Sequence, residues 1–394
     1  MLILFIIVLG LMAAFSGLSG AYRVFYLALG VLGLVWWGLR VNFMKITIHE
    51  DISGSSGFAG TKLFLKIRIA NPGCFPVFWG VLTKSFPETL GTGFEQALIS
   101  VAPHGQTEVQ LAFYPRRRGI YPVPETRLTF GDPFGFREIV LKSTPPDQIV
   151  IYPQILPVVG LELNRHFPLG QNRVVFGLHD DPCRPRGCRD YLPGDSIRKI
   201  HWPNFARTHS LKVKEWETTL MEEIAVFLNL AEEDYPVSDW SWLSELGIDL
   251  AASLVHSLFA SKETVGFYSN GRIAGAGMES YFTLAPKHGY QQEKRILHFL
   301  AGTALNPPAL FLPLVQEAYR QTAGSCLILI TPQAGPEMVQ QVKNLIRTGY
   351  HPVILWLKSR NEVLPFKELA AWKIPYYIVE KRRDHSAFFV RKSG

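Results

Sequence analysis

Charge is missing from one end of this chain. From Met1 to Leu39 the only charged side chain is Arg23, while Leu, Ile, Val, Phe and Trp dominate. That composition excludes a solvated domain there and reads as a membrane segment. Cysteine is also sparse: Cys74, Cys183, Cys188 and Cys326 are scattered through 394 residues, which excludes a disulfide scaffold and fits a reducing compartment. There is no Gly-x-Ser-x-Gly elbow, no His-Glu-x-x-His pair, no internal repeat and no low-complexity tract, so two common hydrolase classes have no footing. The nearest approach to a phosphate loop, Gly54 to Lys62, places Thr61 before Lys62 with a strand following. A Walker loop needs Lys before Ser or Thr and a helix after it, so this stretch reads as a hairpin loop and nucleotide hydrolysis is not expected.

What charge there is runs slightly basic. Lys+Arg 40 against Asp+Glu 33 gives +7, a surplus suited to anionic lipid or an acidic partner but too diffuse for nucleic acid. The short runs Arg116-Arg117-Arg118 and Lys381-Arg382-Arg383 lack interleaved aromatics and read as solvated turns.

Arg23, beside Gly17 and Gly20, divides the apolar end into spans at 2–19 and 24–39. Each is near the lower limit for crossing hydrocarbon, so residues 1–41 are expected to form a hairpin of two transmembrane helices. Trp36 and Trp37 suit the interfacial belt, and Arg40 with Lys45 against Arg23 alone favours a two-pass cell-membrane protein with a cytoplasmic body. The rival, a cleavable signal peptide, lacks a basic residue after Met1, and the apolar region runs past any cleavage point.

Residues 45–146 carry the period-two alternation of half-buried strands. Lys62, Phe64, Lys66 and Arg68 alternate with Leu63, Leu65, Ile67 and Ile69; Val109, Leu111 and Phe113 repeat the pattern; Arg127 to Phe130 follows, with turns at Asn71-Pro72-Gly73, Arg118-Gly119 and Gly131 to Gly135. An antiparallel β-sandwich is expected. Residues 218–394 change character: strands at 224–230, 264–268, 326–331, 353–357 and 376–379 alternate with helices at 242–261, 291–301, 314–321 and 337–348. This predicts a Rossmann-like α/β domain with a mostly parallel sheet.

Between them, residues 147–217 contain the densest patterned segment, Arg189-Asp190-Tyr191-Leu192-Pro193-Gly194-Asp195 running on to Arg207. Pro193 and Gly194 suit the two corners of a β-turn and Asp195 a cap, so the segment reads as strand, turn, one helical turn, strand. Its Arg and Asp side chains are expected to form a charge-assisted network with Tyr191 and Trp202 as lids. Arg189, Tyr191, Pro193, Gly194, Asp195, Arg198, Ile200, Trp202, Ala206, Arg207, Leu211, Val213, Lys214 and Glu215 together resemble the signature of the DUF58 family of bacterial and archaeal membrane-associated proteins. Asp190, His201 and Pro203 depart from it, standing where Glu, Asp and Lys are usual. The resemblance implies a von Willebrand factor A-like domain at the C-terminal end. It also implies partnership with MoxR-type AAA+ ATPases and transglutaminase-like membrane proteins, and so a non-catalytic adaptor.

Within that resemblance, the metal-binding Asp-x-Ser-x-Ser of an A-type domain corresponds to Asn229, Ala231 and Glu233. Carboxylate and hydroxyl ligands for magnesium are thereby lost at three positions, and neither a metal nor a cofactor is expected. The signature residues Arg189, Tyr191, Pro193, Gly194, Asp195, Arg198, Trp202, Arg207, Lys214 and Glu215 carry two readings. One is a structural clasp with Trp202 filling a pocket; the other is a partner-binding surface, because Trp and Arg dominate interface hot spots. An enzymatic alternative groups His179, Asp190, Asp195 and His201 as a metal-dependent hydrolase site. Cys183 and Cys188 with His179 and His201 form a loose set without familiar zinc spacing.

Overall fold

The computed structural model describes residues 7–8, 10–12, 14–15, 19–43, 46–51, 56–91, 94–131, 138–143, 148–161, 179–193, 195–197, 200–219, 223–273, 281–306, 310–318, 326–333, 335–358, 374–381 and 387–392. The chain divides into two compact units, Met1–Gln154 and Ile155–Gly394.

The first unit opens with helical residues at 7–8, 10–12 and 14–15, then one continuous helix, α1 (Ser19–Phe43). Arg23 is expected to interrupt the apolar region, yet it lies inside α1, near its start, because Arg is a good helix former. Among the described residues, the helix that is long and apolar enough to cross a membrane is Trp240–Ala260, and two thirds of its apolar window is buried. It is a core helix of the second unit. The described residues therefore do not establish two spans.

Ten strands follow: β1 (Thr47–Asp51), β2 (Ser56–Phe58), β3 (Leu63–Asn71), β4 (Val77–Ser85), β5 (Phe94–Val101), β6 (Gly105–Phe113), β7 (Gly119–Pro122), β8 (Thr126–Gly131), β9 (Glu138–Ser143) and β10 (Gln148–Tyr152). They form sheets in the orders β1-β3-β6, β5-β4-β8-β9 and β2-β10-β7. All pairs are antiparallel except β2 with β10. The alternation seen in the sequence is the packing pattern: Leu65, Ile67 and Ile69 of β3 and Leu111 and Phe113 of β6 meet Leu82, Ile99 and Leu128 in one core. β10 pairs with β7 and β2. Residues 148–152 thus complete the sandwich, although the sequence reading grouped them with the signature region; alternating Ile149 and Ile151 are buried in this core.

One polar group sits inside the sandwich. Lys84, fully buried, donates from Nζ to Glu50 Oε2 at 2.5 Å and to Thr126 Oγ1 at 2.6 Å. Glu50 Oε1 has no hydrogen-bond partner among the described residues. Burial lowers the Lys84 pKa below its ordinary value, and the Glu50 carboxylate opposes that shift.

The second unit holds β11 (Val158–Val159), β12 (His179–Asp190), α2 (Trp202–Thr208), β13 (Lys212–Thr219), β14 (Glu223–Leu228), α3 (Trp240–Ala260), β15 (Thr264–Ser269), β16 (Arg272–Ile273), β17 (Phe282–Lys287), α4 (Tyr290–Gly302), β18 (Thr303–Ala304), α5 (Phe311–Ala318), β19 (Cys326–Thr331), α6 (Pro336–Arg347), β20 (His351–Leu357), β21 (Tyr376–Lys381) and β22 (Phe388–Lys392). Its main sheet has the order β11-β22-β21-β20-β19-β14-β15-β17. The five strands from β21 to β15 are parallel, with β17 and β22 antiparallel at their flanks. Continuous apolar runs such as Ile224 to Leu228 belong to strands covered on both faces. Helix α3 lies close on the sheet at Gly247, where an added Cβ would come 2.8 Å from Leu357 Cδ1. The short β16, β18 and β22 are not legible as strands in the sequence, because two-residue ladders and a five-residue strand ending in Arg391 and Lys392 carry no periodic signal.

Candidate functional site

Strand β14 has its successor β15 on one side and β19 on the other. Strand order reverses there, and in open α/β sheets that point, beyond the carboxyl ends of the strands, is where ligands bind. The residues presented are Asn229 after β14, Asn270 after β15 and Thr331 ending β19, all buried. Asn229 uses every hydrogen-bonding position of its amide. Nδ2 donates to Asp234 Oδ2 at 2.7 Å and Thr331 Oγ1 at 3.1 Å, while Oδ1 accepts from Ala231 N–H at 3.0 Å and Asn270 Nδ2 at 3.3 Å.

The network extends outward. Asn270 Oδ1 accepts from Leu230 N–H at 2.7 Å, Asn306 Nδ2 donates to Asn270 O at 3.2 Å, and Tyr235 Oη donates to Asn229 O at 2.6 Å. Complete burial beside Asp234 pushes the Tyr235 phenol far above its ordinary pKa, so it stays a donor. Thr331 Oγ1 donates to Gln333 O at 2.9 Å, and the buried Trp356 indole donates to Pro332 O at 2.7 Å.

An oxygen with two N–H donors already upon it, joined to an amide nitrogen that cannot ligate, is not a cation ligand. Of the positions matched to the metal motif, Asn229 and Ala231 are buried and Glu233 is exposed, outside the network. The sequence marked Asn229. Asn270 and Thr331, single polar residues at the ends of two apolar strands, and Asn306, just after β18, escaped it, with no signal until the fold brings them together.

The second candidate is the signature segment. Strands β12 and β13 pair antiparallel from His179 opposite Thr219 to Asp190 opposite Lys212. The connection is pinned at its base by Tyr191 N–H to Leu211 O at 3.0 Å and His201 N–H to Lys212 O at 2.8 Å. Leu192 to Asp195 forms the expected turn, with Asp195 N–H donating to Leu192 O at 3.0 Å. Arg189 grips Asp195 in a fork, Nη1 to Oδ2 at 2.7 Å and Nη2 to Oδ1 at 2.6 Å, and Oδ2 also accepts from Leu192 N–H at 3.0 Å.

Asp195 therefore closes its own turn. His201 is the cap of α2, its Nδ1 accepting from Asn204 N–H at 3.1 Å. The helix buries none of its residues. Trp202 is 54% exposed within the second unit, with Phe205 edge-on beside it at 6.2 Å among the described residues, so its indole is not the buried lid expected over the Arg189–Asp195 pair. A seven-residue helix with polar Asn204, Arg207 and Thr208 has no apolar face wide enough to bury. Leu192, Ile197 and Leu211 are exposed with it, at 61%, 68% and 41%.

Arg207 is exposed on the last turn of α2, Tyr191 and Lys214 are half-buried, and Pro193 is exposed at the turn. Gly194 and Arg198 lie outside the described residues, as does the side chain of Glu215, whose backbone pairs opposite Gly187.

The enzymatic grouping does not assemble. His179 and Asp190 stand at opposite ends of the twelve-residue β12, about 35 Å apart at strand rise. Asp195 is held by Arg189 and His201 by α2. The same strand spreads His179, Cys183 and Cys188 along its length. No group of three His, Cys, Asp or Glu side chains gathers among the described residues.

No curated protein matches the chain. Among solved structures, the CARDB domain of a Pyrococcus furiosus protein, crystallised with di-metal ions, is similar at 12% identity and TM-score 0.21. That likeness covers 27% of this chain and 92% of that one. Residues 187–312, which carry the hairpin connection and the Asn229, Asn270 and Asn306 network, match the family model described as Protein of unknown function DUF58, and this supports the DUF58 family for the chain.

Proposed function

We propose that this protein is a membrane-anchored, non-catalytic adaptor whose docking surface is the β12–β13 connection. The observation that carries the reading is the exposure of Leu192, Ile197, Trp202 and Leu211 on a segment held by backbone ladders and an Arg189–Asp195 fork. An apolar and aromatic surface on a pinned loop has little ordering entropy left to lose on binding. From Gly187 to Lys214 there are six Lys or Arg residues against two Asp, a surplus of four within a chain whose total is seven, so the partner face is acidic.

We take that partner to be a MoxR-type AAA+ ATPase, the expectation that the DUF58 resemblance carries. The C-terminal unit serves as a von Willebrand factor A-like platform, a reading favoured by the order β17-β15-β14-β19-β20-β21 with β17 antiparallel. Its divalent-ion cage is replaced by the asparagine network. At the other end, residues 1–41 anchor the chain as a two-helix membrane hairpin with the body in the cytoplasm. Supporting this, Gly10 faces the ring of Phe25 so closely that an added Cβ would lie 3.1 Å from its Cε2. In one continuous helix those residues would be about 22 Å apart, so their close approach favours the hairpin reading.

Affinity purification of the intact chain from native membranes, with and without ATP, tests the reading. A MoxR-type ATPase in amounts comparable to the bait is the expected result, and its consistent absence under both conditions refutes the adaptor.

A further inference from the structure

We propose that the end of the sandwich formed by residues 72–78 and 102–104 is a foot that rests in the lipid headgroup layer, so that the first unit touches the bilayer through its sandwich as well as through α1. The inference rests on the membrane-hairpin reading above, and three observations converge on it.

Chain topology places this end next to α1. Strand β1 begins four residues after α1 ends, and its first residue, Thr47, pairs with Ala70, immediately before the β3–β4 connection. The β5–β6 connection is tied to the same place. Asn71 Nδ2 donates to Ala102 O at 3.2 Å, and His104 N–H donates to Gly73 O at 3.1 Å.

Contact confirms the placement. The Phe75 ring meets Trp37 of α1 edge-on, with centroids 5.8 Å apart and planes at 89°. Trp37 lies in the last two turns of α1, where an indole marks the boundary between hydrocarbon and headgroups.

Composition fits the same environment. Lys, Arg, Asp and Glu are absent from Ile69 to Thr83 and from Gln96 to Thr107, although Lys66, Arg68 and Glu108 lie just up the same strands. Phe78 is 57% exposed and Trp79 is half-buried. A water-facing sandwich end has no reason to exclude charge while displaying Phe, whereas an aromatic rim at a headgroup layer gains from both.

A native thiol makes the test direct, because Cys74 is free and exposed in this connection. The full-length chain, with Cys183, Cys188 and Cys326 changed to Ser, is spin-labelled at Cys74 and reconstituted in phosphatidylcholine–phosphatidylglycerol vesicles. Collision with oxygen, which concentrates in lipid, is compared with collision with a water-soluble nickel complex. In the same background with Cys74→Ser, separate labels on Phe78→Cys, Leu27→Cys within α1 and Arg116→Cys at the opposite end of the sandwich give the second foot position, the lipid reference and the water reference.

The foot predicts an oxygen-to-nickel ratio at positions 74 and 78 several-fold above that at 116 and approaching that at 27. Water-like ratios at 74 and 78 with a lipid-like ratio at 27 overturn the foot and leave the hairpin standing. A water-like ratio at 27 overturns the hairpin and the foot with it.

Discussion

At the scale of single residues, Asn229 and Lys84 show how a buried polar group is made tolerable, and each makes a prediction. Asn229 is satisfied on all four sides, so Asn229→Asp places a carboxylate 2.7 Å from Asp234 where an amide nitrogen now donates. Like charges at that distance raise one of the two pKa values. The folded state then holds more protons than the unfolded one, so the variant's stability falls as pH rises above about 4. A loss of about 2 kcal/mol near neutral pH is expected, with partial recovery in millimolar magnesium, whereas the unaltered protein's Tm does not move with magnesium. Thermal melts with and without the ion decide it.

Lys84 works in the opposite direction. Removing it as Lys84→Met strands the buried Glu50 carboxylate and should cost about 3–5 kcal/mol, while Glu50→Leu with Lys84→Met should recover most of the loss. Because the folded pKa of Lys84 is depressed, the unfolded chain binds the extra proton in the window between that depressed value and 10.5. The Lys84 contribution to stability therefore rises with pH through that window. The Tm difference between the unaltered protein and Lys84→Met should widen as pH rises through that window toward 10.5.

At the scale of elements, the β12–β13 connection is held open to solvent by a few directed bonds. Asp195→Ala removes the fork on Arg189 and the acceptor for Leu192 N–H. The pair is partly exposed, so the global loss should be about 1 kcal/mol, yet local opening should be pronounced. Faster proteolysis within 191–200 at nearly unchanged Tm is the expected result, read by mass spectrometry of the fragments.

This element also shows what was legible beforehand. The turn at Pro193 and the flanking strands followed from turn chemistry and alternation, and Leu63 to Ile69 gave its buried face outright, because a period of two is a local property. The helix cap did not follow. That His201 caps α2 depends on where the paired strands set the helix down. Trp202 shows a similar limit: an aromatic ring tells of apolar area, but whether that area is covered depends on neighbours distant in sequence. Arg23 failed to break α1 because local composition does not fix where a helix begins.

At the scale of the whole molecule, two units divide the labour. The sandwich continues from the α1 helix, and the second unit holds both the β12–β13 ribbon with its basic and aromatic connection and a separate eight-stranded sheet whose carboxyl-end switch point carries the asparagine network. The parallel sheet could be read from apolar runs alternating with helices. Its strand order could not, since the reversal at β14 is set by tertiary crossover connections, and so the meeting of Asn229 with Thr331, 102 residues apart, was hidden.

The most direct test of this account compares native-membrane purifications of the unaltered chain with Trp202→Ala and Arg207→Ala. Both side chains are exposed, so Tm should change by the equivalent of less than about 0.5 kcal/mol, while a hot-spot contribution of about 2 kcal/mol or more should remove most of the bound ATPase. ATPase retained at full amount by both variants, or lost only along with the fold, would contradict the assignment of the β12–β13 connection as the docking surface.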